Sequence, residues 1–377
     1  MTIPTSTRTP RSTTKPAKCK GPARKVRTMT RTAVAMSGGV DSSVAAALLL
    51  EAGRDVFGVT MRLGLAEIAG RQCCGEEEVL HARRVCDMLG IEHVVVDMAE
   101  EFRAEVVEPF VDAYAAGLTP NPCVRCNERV KLGAFAERTR RLGADELATG
   151  HYARTVSEDG TVWLERAADA AKDQSYFLYR VVPDVLERLV FPLGTLTKSE
   201  VRARAHALGL PTAARRESQE VCFTDDHAAL VAHTHPEALT PGPMLDAAGR
   251  TLGTHRGLAR YTVGQRKGLG LGGPEGPFVV IALDPGRNAL VLGPPAALDR
   301  TAVTLSDAIW RLDGPATVGA QIRYRATPLE ATVTPDGPAR LDVRFSAPAR
   351  GLAPGQSVVL YQGDRIVGGG ILTASQP

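Results

Sequence analysis

The sequence predicts an α/β protein: a parallel-sheet domain, then a small β-rich central domain and a C-terminal β-barrel domain. Three observations predict it. The 377 residues exceed what one hydrophobic core ordinarily serves. From Thr32 to about Thr212, short apolar runs alternate with helical patterns, the texture of a parallel sheet covered on both faces. After Pro211, turn residues and short β runs take over.

In chain order, "TAVAM" (32–36) and "DVFGVTM" (55–61) read as strands. "DSSVAAALLLEAG" (41–53) between them is rich in helix formers and stops at Gly53. "EEEVLHARRVCDMLG" (76–90) repeats Val79, Leu80, Val85, Met88 and Leu89 at helical spacing, with Gly90 beyond the end. "IEHVVVDM" (91–98) and "ELATG" (146–150) are strands. "TKSEVRARAHALGLP" (197–211) opens with a Thr197/Glu200 capping box and closes on Gly and Pro. Beyond it, "PFVVIALDPGRNALVLG" (277–293) is two β runs around a Pro-Gly turn, and further β runs follow from about residue 299 with no helical period. In "QIRYRA" the alternation predicts a strand with Arg323 and Arg325 on one face and Tyr324 on the other. The divisions are a tail at 1–30, then 31–215, 216–298 and 299–377.

With 44% hydrophobic and 23% charged residues the chain is of soluble globular type. No run of about 18 uncharged apolar residues offers a membrane span. The net charge of +3 conceals an asymmetry: residues 1–30 hold eight Lys or Arg and no acid, so the rest is net acidic. That tail reads as disordered. It also has the composition of a nucleic-acid arm, of a transit peptide, or of translation from a start upstream of Met29. Seven cysteines, an odd number in a long chain without a secretory signal, point to a reducing cytoplasm rather than a disulfide scaffold.

"TAVAMSGGVDSSV" (32–44) puts Ser37, Gly38, Gly39, Val40, Asp41, Ser42 and Ser43 at a strand-to-helix junction. Glycines permit a tight turn, the helix start offers unpaired N–H groups, and the serines add hydroxyls; together they form a nest for phosphate. Asp41 is an acid inside an anion site, which calls for Mg²⁺ between it and the phosphates. The string lacks the Gly-Lys-Ser/Thr of a Walker loop. It resembles instead the PP-loop of ATP pyrophosphatases, of the adenine nucleotide alpha hydrolase-like fold, which release pyrophosphate and adenylylate a substrate oxygen.

"NPCVRCNERVK" (121–131) and "ESQEVCFTDD" (217–226) contribute Cys123, Cys126 and Cys222. A zinc site would need a second Cys-x-x-Cys, which is absent. A three-cysteine iron–sulfur cluster is a sharper alternative. Arg125 and Arg129 flank Cys126 and would favour its thiolate. Cys86 lies on the apolar side of a helical pattern and reads as core, Cys73 and Cys74 as incidental, and His81, His93 and His255 as ordinary.

"SGGVDSS", "GLTPNPCVRCNERVK" (117–131), "ATGHYAR" (148–154), "KDQSYFL" (172–178), "SQEVCF" (218–223) and "YTVGQRKGLGLGG" (261–273) occur in the order found in the tRNA-specific 2-thiouridylase (MnmA) family, which the chain resembles over about 31–377. The resemblance implies an ATP-dependent transferase that thiolates the wobble uridine of tRNAs for Lys, Glu and Gln through adenylylation of the 2-carbonyl oxygen. It implies ATP binding at Ala35, Met36, Ser37, Gly38, Gly39, Val40, Asp41 and Ser42, with Met61 and Gly150. Cys222 matches the persulfide carrier and Cys126 its partner nucleophile, with a transient Cys126–Cys222 disulfide. Asn121, Pro122 and Cys123 match the segment touching the target base; His151, Lys172, Asp173, Gln174, Arg323, Tyr324 and Gln356 match tRNA-contacting positions. A sulfur-donor relay protein or cysteine desulfurase is the implied partner, and a monomer the implied state. Many members carry Asp where this chain has Cys123, and a thiol of pKa about 8.5 is a poor proton carrier near neutrality. The alternatives are cluster-dependent thiolation, another PP-loop ligase, and an RNA-binding module with a merely structural nucleotide site.

Overall fold

The computed structural model describes residues 1, 30–64, 75–215, 221–271 and 277–373. Expectations for the tail, for Cys19, Cys73 and Cys74, for Ser218–Glu220 and for Gly272–Gly273 lie outside the described residues.

The first alternating run folds as its pattern requires. Strand β1 (Arg31–Ala35), helix α1 (Val40–Glu51), β2 (Asp55–Arg62), α2 (Glu76–Leu89) and β3 (His93–Asp97) follow one another. α3 (Ala99–Phe102), a π-helical stretch (Arg103–Val107) and α4 (Glu108–Ala115) form one bent rod. α5 (Pro122–Arg125), a second π-helical stretch (Cys126–Ala134) and α6 (Phe135–Arg141) form another. β4 (Glu146–Ala148), the hairpin β5 (Arg154–Glu158) and β6 (Thr161–Glu165), α7 (Pro183–Leu186), β7 (Leu189–Val190) and α8 (Lys198–Ala207) complete the domain. The sheet runs β3-β2-β1-β4-β7, parallel where paired, with Ala33 opposite Phe57 on one side and Leu147 on the other. Because β1 extends to β2 and β3 in one direction and to β4 and β7 in the other, a crevice opens beyond the carboxyl ends of β1 and β4, where ligands of such sheets bind. The capping box at α8 is present: Glu200 N–H donates to Thr197 Oγ1 at 3.3 Å and Thr197 N–H to the Glu200 carboxylate at 2.7 Å.

The central region begins with a helix that the sequence reading missed, α9 (His227–Thr234). Its eight residues are too few for a visible period; its clearest sign is the Asp226 cap, whose carboxylate accepts from Ala228 and Ala229 N–H at 3.0 and 3.1 Å. Then β8 (Gly242–Leu245), β9 (Thr251–His255), β10 (Val279–Asp284) and β11 (Ala289–Gly293) make a small sheet in the order β10-β11-β8-β9. The C-terminal strands are β12 (Arg300–Trp310), β13 (Ala316–Gln321), β14 (Leu329–Pro335), β15 (Leu341–Ala349), β16 (Ser357–Gln362) and β17 (Arg365–Leu372). Ordered β12-β15-β14-β13-β16-β17 and closed by a β12–β17 pairing, they form a six-stranded barrel. β6 adds to β17 at Arg365–Glu165, so the β5–β6 hairpin lies in the first domain's stretch of sequence but extends the barrel's sheet.

The strand predicted around Arg323 and Arg325 is corrected: β13 ends at Gln321, and Arg325 has a φ of 62°, outside the range of regular extended backbone. The main core is continuous between regions, joining Phe57, Phe102 and Tyr176 to Leu230 and to Tyr361 and Ile366 of the barrel. Among the described residues no helix is long and apolar enough to cross a membrane.

Candidate active site

β1 ends at Ala35, and the chain turns through Met36–Gly39 into α1. Gly38 has a φ of 70°, and a Cβ there would sit 2.5 Å from the Glu78 carbonyl oxygen, so only glycine fits. Gly39 caps α1 without any side-chain hydrogen bond, leaving the helix's first N–H groups for a ligand. The loop is tied internally: Ser37 N–H reaches Ser42 Oγ at 3.2 Å, and the hydroxyls of Ser42 and Ser43 donate to Gly39 O at 3.2 and 2.8 Å. The Arg215 guanidinium clasps Gly38 O from outside at 2.9 Å. Gly150, beyond β4, lies so close that a Cβ would approach Ser42 N to 2.8 Å.

Asp41 departs from expectation. Its carboxylate accepts from Lys198 Nζ at 2.6 and 2.8 Å and from Tyr152 Oη at 2.9 Å. A buried ammonium already neutralises the acid, which removes the charge argument for Mg²⁺ at this residue.

At the other end of the crevice, Asn121 caps α5 by accepting from Val124 N–H at 3.4 Å, with Pro122 at the first helical position. Cys123 and Cys126 follow about one turn apart on the same side. Cys123 is half-buried and lines the crevice, whereas Cys126 is 6% exposed and belongs to the main core. Burial pushes the Cys126 thiol up to about 12 and raises Cys123, with Lys131 the opposing influence on both. The expected role of the flanking arginines is corrected. Arg125 is spent on Glu105, on its carbonyl at 2.6 Å and its carboxylate at 3.0 Å, and Arg129 lies 3.5 Å from Glu128.

Cys222 sits in a turn, half-buried on the same core, near enough to raise the Cys123 and Cys126 thiols a little further. Phe223 anchors that turn: it is 2% exposed, with edge-to-face contacts to Phe102 at 5.6 Å and Phe110 at 5.1 Å. None of Cys86, Cys123, Cys126 and Cys222 is in a disulfide. Cys86 is core, as read, with its thiol also raised to about 12 by burial. Among the described residues no group of three or more Cys, His, Asp or Glu is gathered to hold a metal. The three thiols are neighbours, but among the described residues they are not set as a cluster's cradle.

One cleft of about 870 Å³ joins the two ends. Ala35, Met36, Ser37, Asp41, Ser42, Met61 and Gly150 line it; Gly38, Gly39 and Val40 stand behind the lining. Asn121, Pro122 and Cys123 form another part of its wall, and His151, Lys172, Gln174, Tyr324 and Gln356 also face it. His151 bonds Thr149 Oγ1 through Nδ1 at 2.9 Å and is held neutral, lowered to about 3 by burial and then by Lys131. Asp173 does not reach the cleft: 7% exposed, it accepts from Ala167 N–H, Ser175 N–H and Ser175 Oγ and pairs with Arg166 at 3.0 Å, so its role is to shape the 166–175 loop. Arg323 is exposed off the lining, and Arg325 takes its place there beside Tyr324. Arg266 and Lys267 are exposed on their loop.

Sequence reasoning missed Lys131, Tyr152, Asn127, Phe177 and Lys198. The first four stand inside quoted motifs, so their position was the available signal. Lys198 had none, being 157 positions from Asp41.

Three family profiles match in series: "tRNA methyl transferase HUP domain" over 30–226, "tRNA methyl transferase PRC-barrel domain" over 229–294 and "Aminomethyltransferase beta-barrel domain" over 300–372. The chain is 50% identical over 352 residues to the "tRNA-specific 2-thiouridylase MnmA" of Chloroflexus aurantiacus, covering 91% of this chain and 98% of that one. The protein of the same name from Roseiflexus castenholzii is 46% identical (91% and 99% covered), and that from Moorella thermoacetica 46% (90% and 98%).

Proposed function

The chain belongs to the tRNA-specific 2-thiouridylase family, and from that membership we propose how this molecule carries the reaction out. It is a tRNA 2-thiouridylase that uses ATP through its HUP domain. The observation that carries the proposal is the single cleft running from the uncapped start of α1 to Cys123 and on to Gln356 of the barrel.

The α1 start and the Ser37–Ser42 loop hold the phosphates of ATP. The wobble uridine, taken out of its stack, enters beside Asn121–Cys123. Its O2 attacks the α-phosphorus, pyrophosphate leaves, and the N3 proton is released. A persulfide on Cys222, delivered by a sulfur-relay protein or desulfurase, attacks C2 with loss of AMP. The Cys126 thiolate then attacks Cys222 Sγ; the Cys222 S–S bond breaks, the 2-thiocarbonyl is released, and a Cys126–Cys222 disulfide remains for an external thiol to reduce. His151, Lys172, Gln174, Tyr324 and Gln356 contact the tRNA.

Purified protein given ATP, a tRNA with a uridine wobble base and a persulfide donor should release pyrophosphate and form 2-thiouridine. Pyrophosphate release without RNA thiolation would overturn the proposal. In the same assay Lys198→Met, which strands Asp41 in the phosphate site, is expected to raise KM for ATP by roughly tenfold to a hundredfold, the equivalent of about 1–3 kcal/mol for an uncompensated charge. An unchanged KM would detach Lys198 from nucleotide binding.

A further inference from the structure

Asn127 follows Cys126 directly, is 2% exposed and lines the cleft. Its Nδ2 donates to the Phe177 carbonyl at 3.2 Å. A carbonyl can only accept, so this contact settles which end of the amide is which and leaves Oδ1 as the other end. Among the described residues Oδ1 has no hydrogen-bond partner. A buried acceptor left unpaired is costly, and a ligand bringing an N–H to it from the cleft would recover that cost.

We propose that Asn127 Oδ1 accepts the N3–H of the target uracil and is the group that separates uridine from cytidine. The inference rests on the functional reading above and adds to it the residue that reads the base. Uracil presents a donor at N3, where cytosine presents a lone pair that would face Oδ1 in repulsion. Phe177, whose carbonyl pins Asn127, turns its ring into the same cleft 4.4 Å from the Tyr324 ring, so a stacking surface and the edge-reading acceptor share one support. N3 is bonded to C2, so fixing N3–H also aims O2 toward the nucleotide.

The test uses anticodon stem-loops with uridine, cytidine or 3-deazauridine at the wobble position, the last carrying C–H in place of the N3 donor. Binding is measured to the wild type and to Asn127→Ala, with ATP affinity alongside. Wild type is expected to bind the cytidine and 3-deazauridine loops about 10-fold to 100-fold more weakly than the uridine loop, while Asn127→Ala binds all three within about threefold. ATP affinity should stay within about twofold. The wild-type arm stands even if the variant fails to fold. Equal wild-type affinity for uridine and 3-deazauridine, or an undiminished penalty in Asn127→Ala, would overturn the proposal. So would weakened ATP binding with base preference intact, which would give Oδ1 to the adenine amino group instead. Failure of wild type to thiolate even the uridine loop would sink the functional reading itself.

Discussion

Cys222→Ser is expected to reduce 2-thiouridine formation by at least about a thousandfold, since losing a nucleophile removes the step itself, not a fraction of its rate. Binding of tRNA and ATP-dependent pyrophosphate release should persist, because the nucleotide loop and the Asn121–Cys123 wall do not depend on the thiol. Oxygen for sulfur is nearly isosteric, and the turn's position is held by Phe223 in its aromatic pocket. Cys126→Ser should fail later. Adenylylation and attack by the persulfide proceed, and the tRNA stays joined to Cys222 through a disulfide. That adduct should be visible as a shifted band on a non-reducing gel and should be released by dithiothreitol. A wild-type yield of 2-thiouridine in a single turnover by either variant, without added thiol, would remove that cysteine from the mechanism. The raised Cys126 thiol adds a pH signature. With its folded value at about 12, the thiolate fraction is small at neutrality, so alkylation of Cys126 in the tRNA-free enzyme should climb about tenfold per pH unit to roughly pH 11. A plateau near pH 8 would mean that burial does not control it.

Arg180→Met is expected to be the most destabilising single change, by about 3–5 kcal/mol, as when one partner of a buried ion pair is removed. Arg180 is 6% exposed, and its guanidinium bonds the Glu128 carboxylate at 2.7 Å, the Asp307 carbonyl at 2.6 Å and the Asp307 carboxylate at 3.0 Å. Burial is the largest single influence and would lower its pKa, but the hydrogen bonds and charge interactions with Glu128 and Tyr179 together outweigh it and hold the group charged. Glu128 is two residues past Cys126, and Asp307 lies at an irregularity in β12, so the contact fixes the thiol-bearing rod against the barrel. Thermal melting should show the loss, and Glu128→Leu added to Arg180→Met should recover part of it by removing the stranded acid. Turnover should fall roughly tenfold to a hundredfold more than tRNA binding, since a misplacement of about 1 Å suffices for that. A variant of wild-type stability would show the pair to be ornamental.

What was legible in the sequence was local. β1, its loop and α1 were readable because strand, glycine turn and helix start are contiguous, and the α8 capping box because both partners lie within four residues. The candidate cysteines stand out through their motifs, but their environment was not legible. Arg125 looked like an activator of Cys126 until Glu105, 20 positions earlier, proved to hold it. Asp41 looked like a metal ligand because its counter-ion is distant in the chain. Asp173 looked like a surface contact because nothing in "KDQSYFL" signals that three hydrogen bonds turn it inward. The predicted strand at Arg323–Arg325 shows the opposite failure: alternation was real, but the chain leaves the sheet at Gln321. The barrel's sixfold closure is a matter of long-range pairing that no window of sequence contains.

The addition of β6 to β17 has a further consequence. Tyr176 Oη donates to Ser357 O at 2.8 Å, Arg166 stacks over Tyr361 at 3.5 Å, and the first domain's core runs on into Ile366. The C-terminal barrel is therefore no detachable accessory. A chain ending near residue 298 would bare the flank of β6, the Tyr176 hydroxyl and one face of the Arg166 guanidinium at once, and such an open edge invites sticking to other copies rather than independent folding. Gene fusions or domain exchanges that treat 299–377 as a module would carry away part of the floor on which the catalytic half rests.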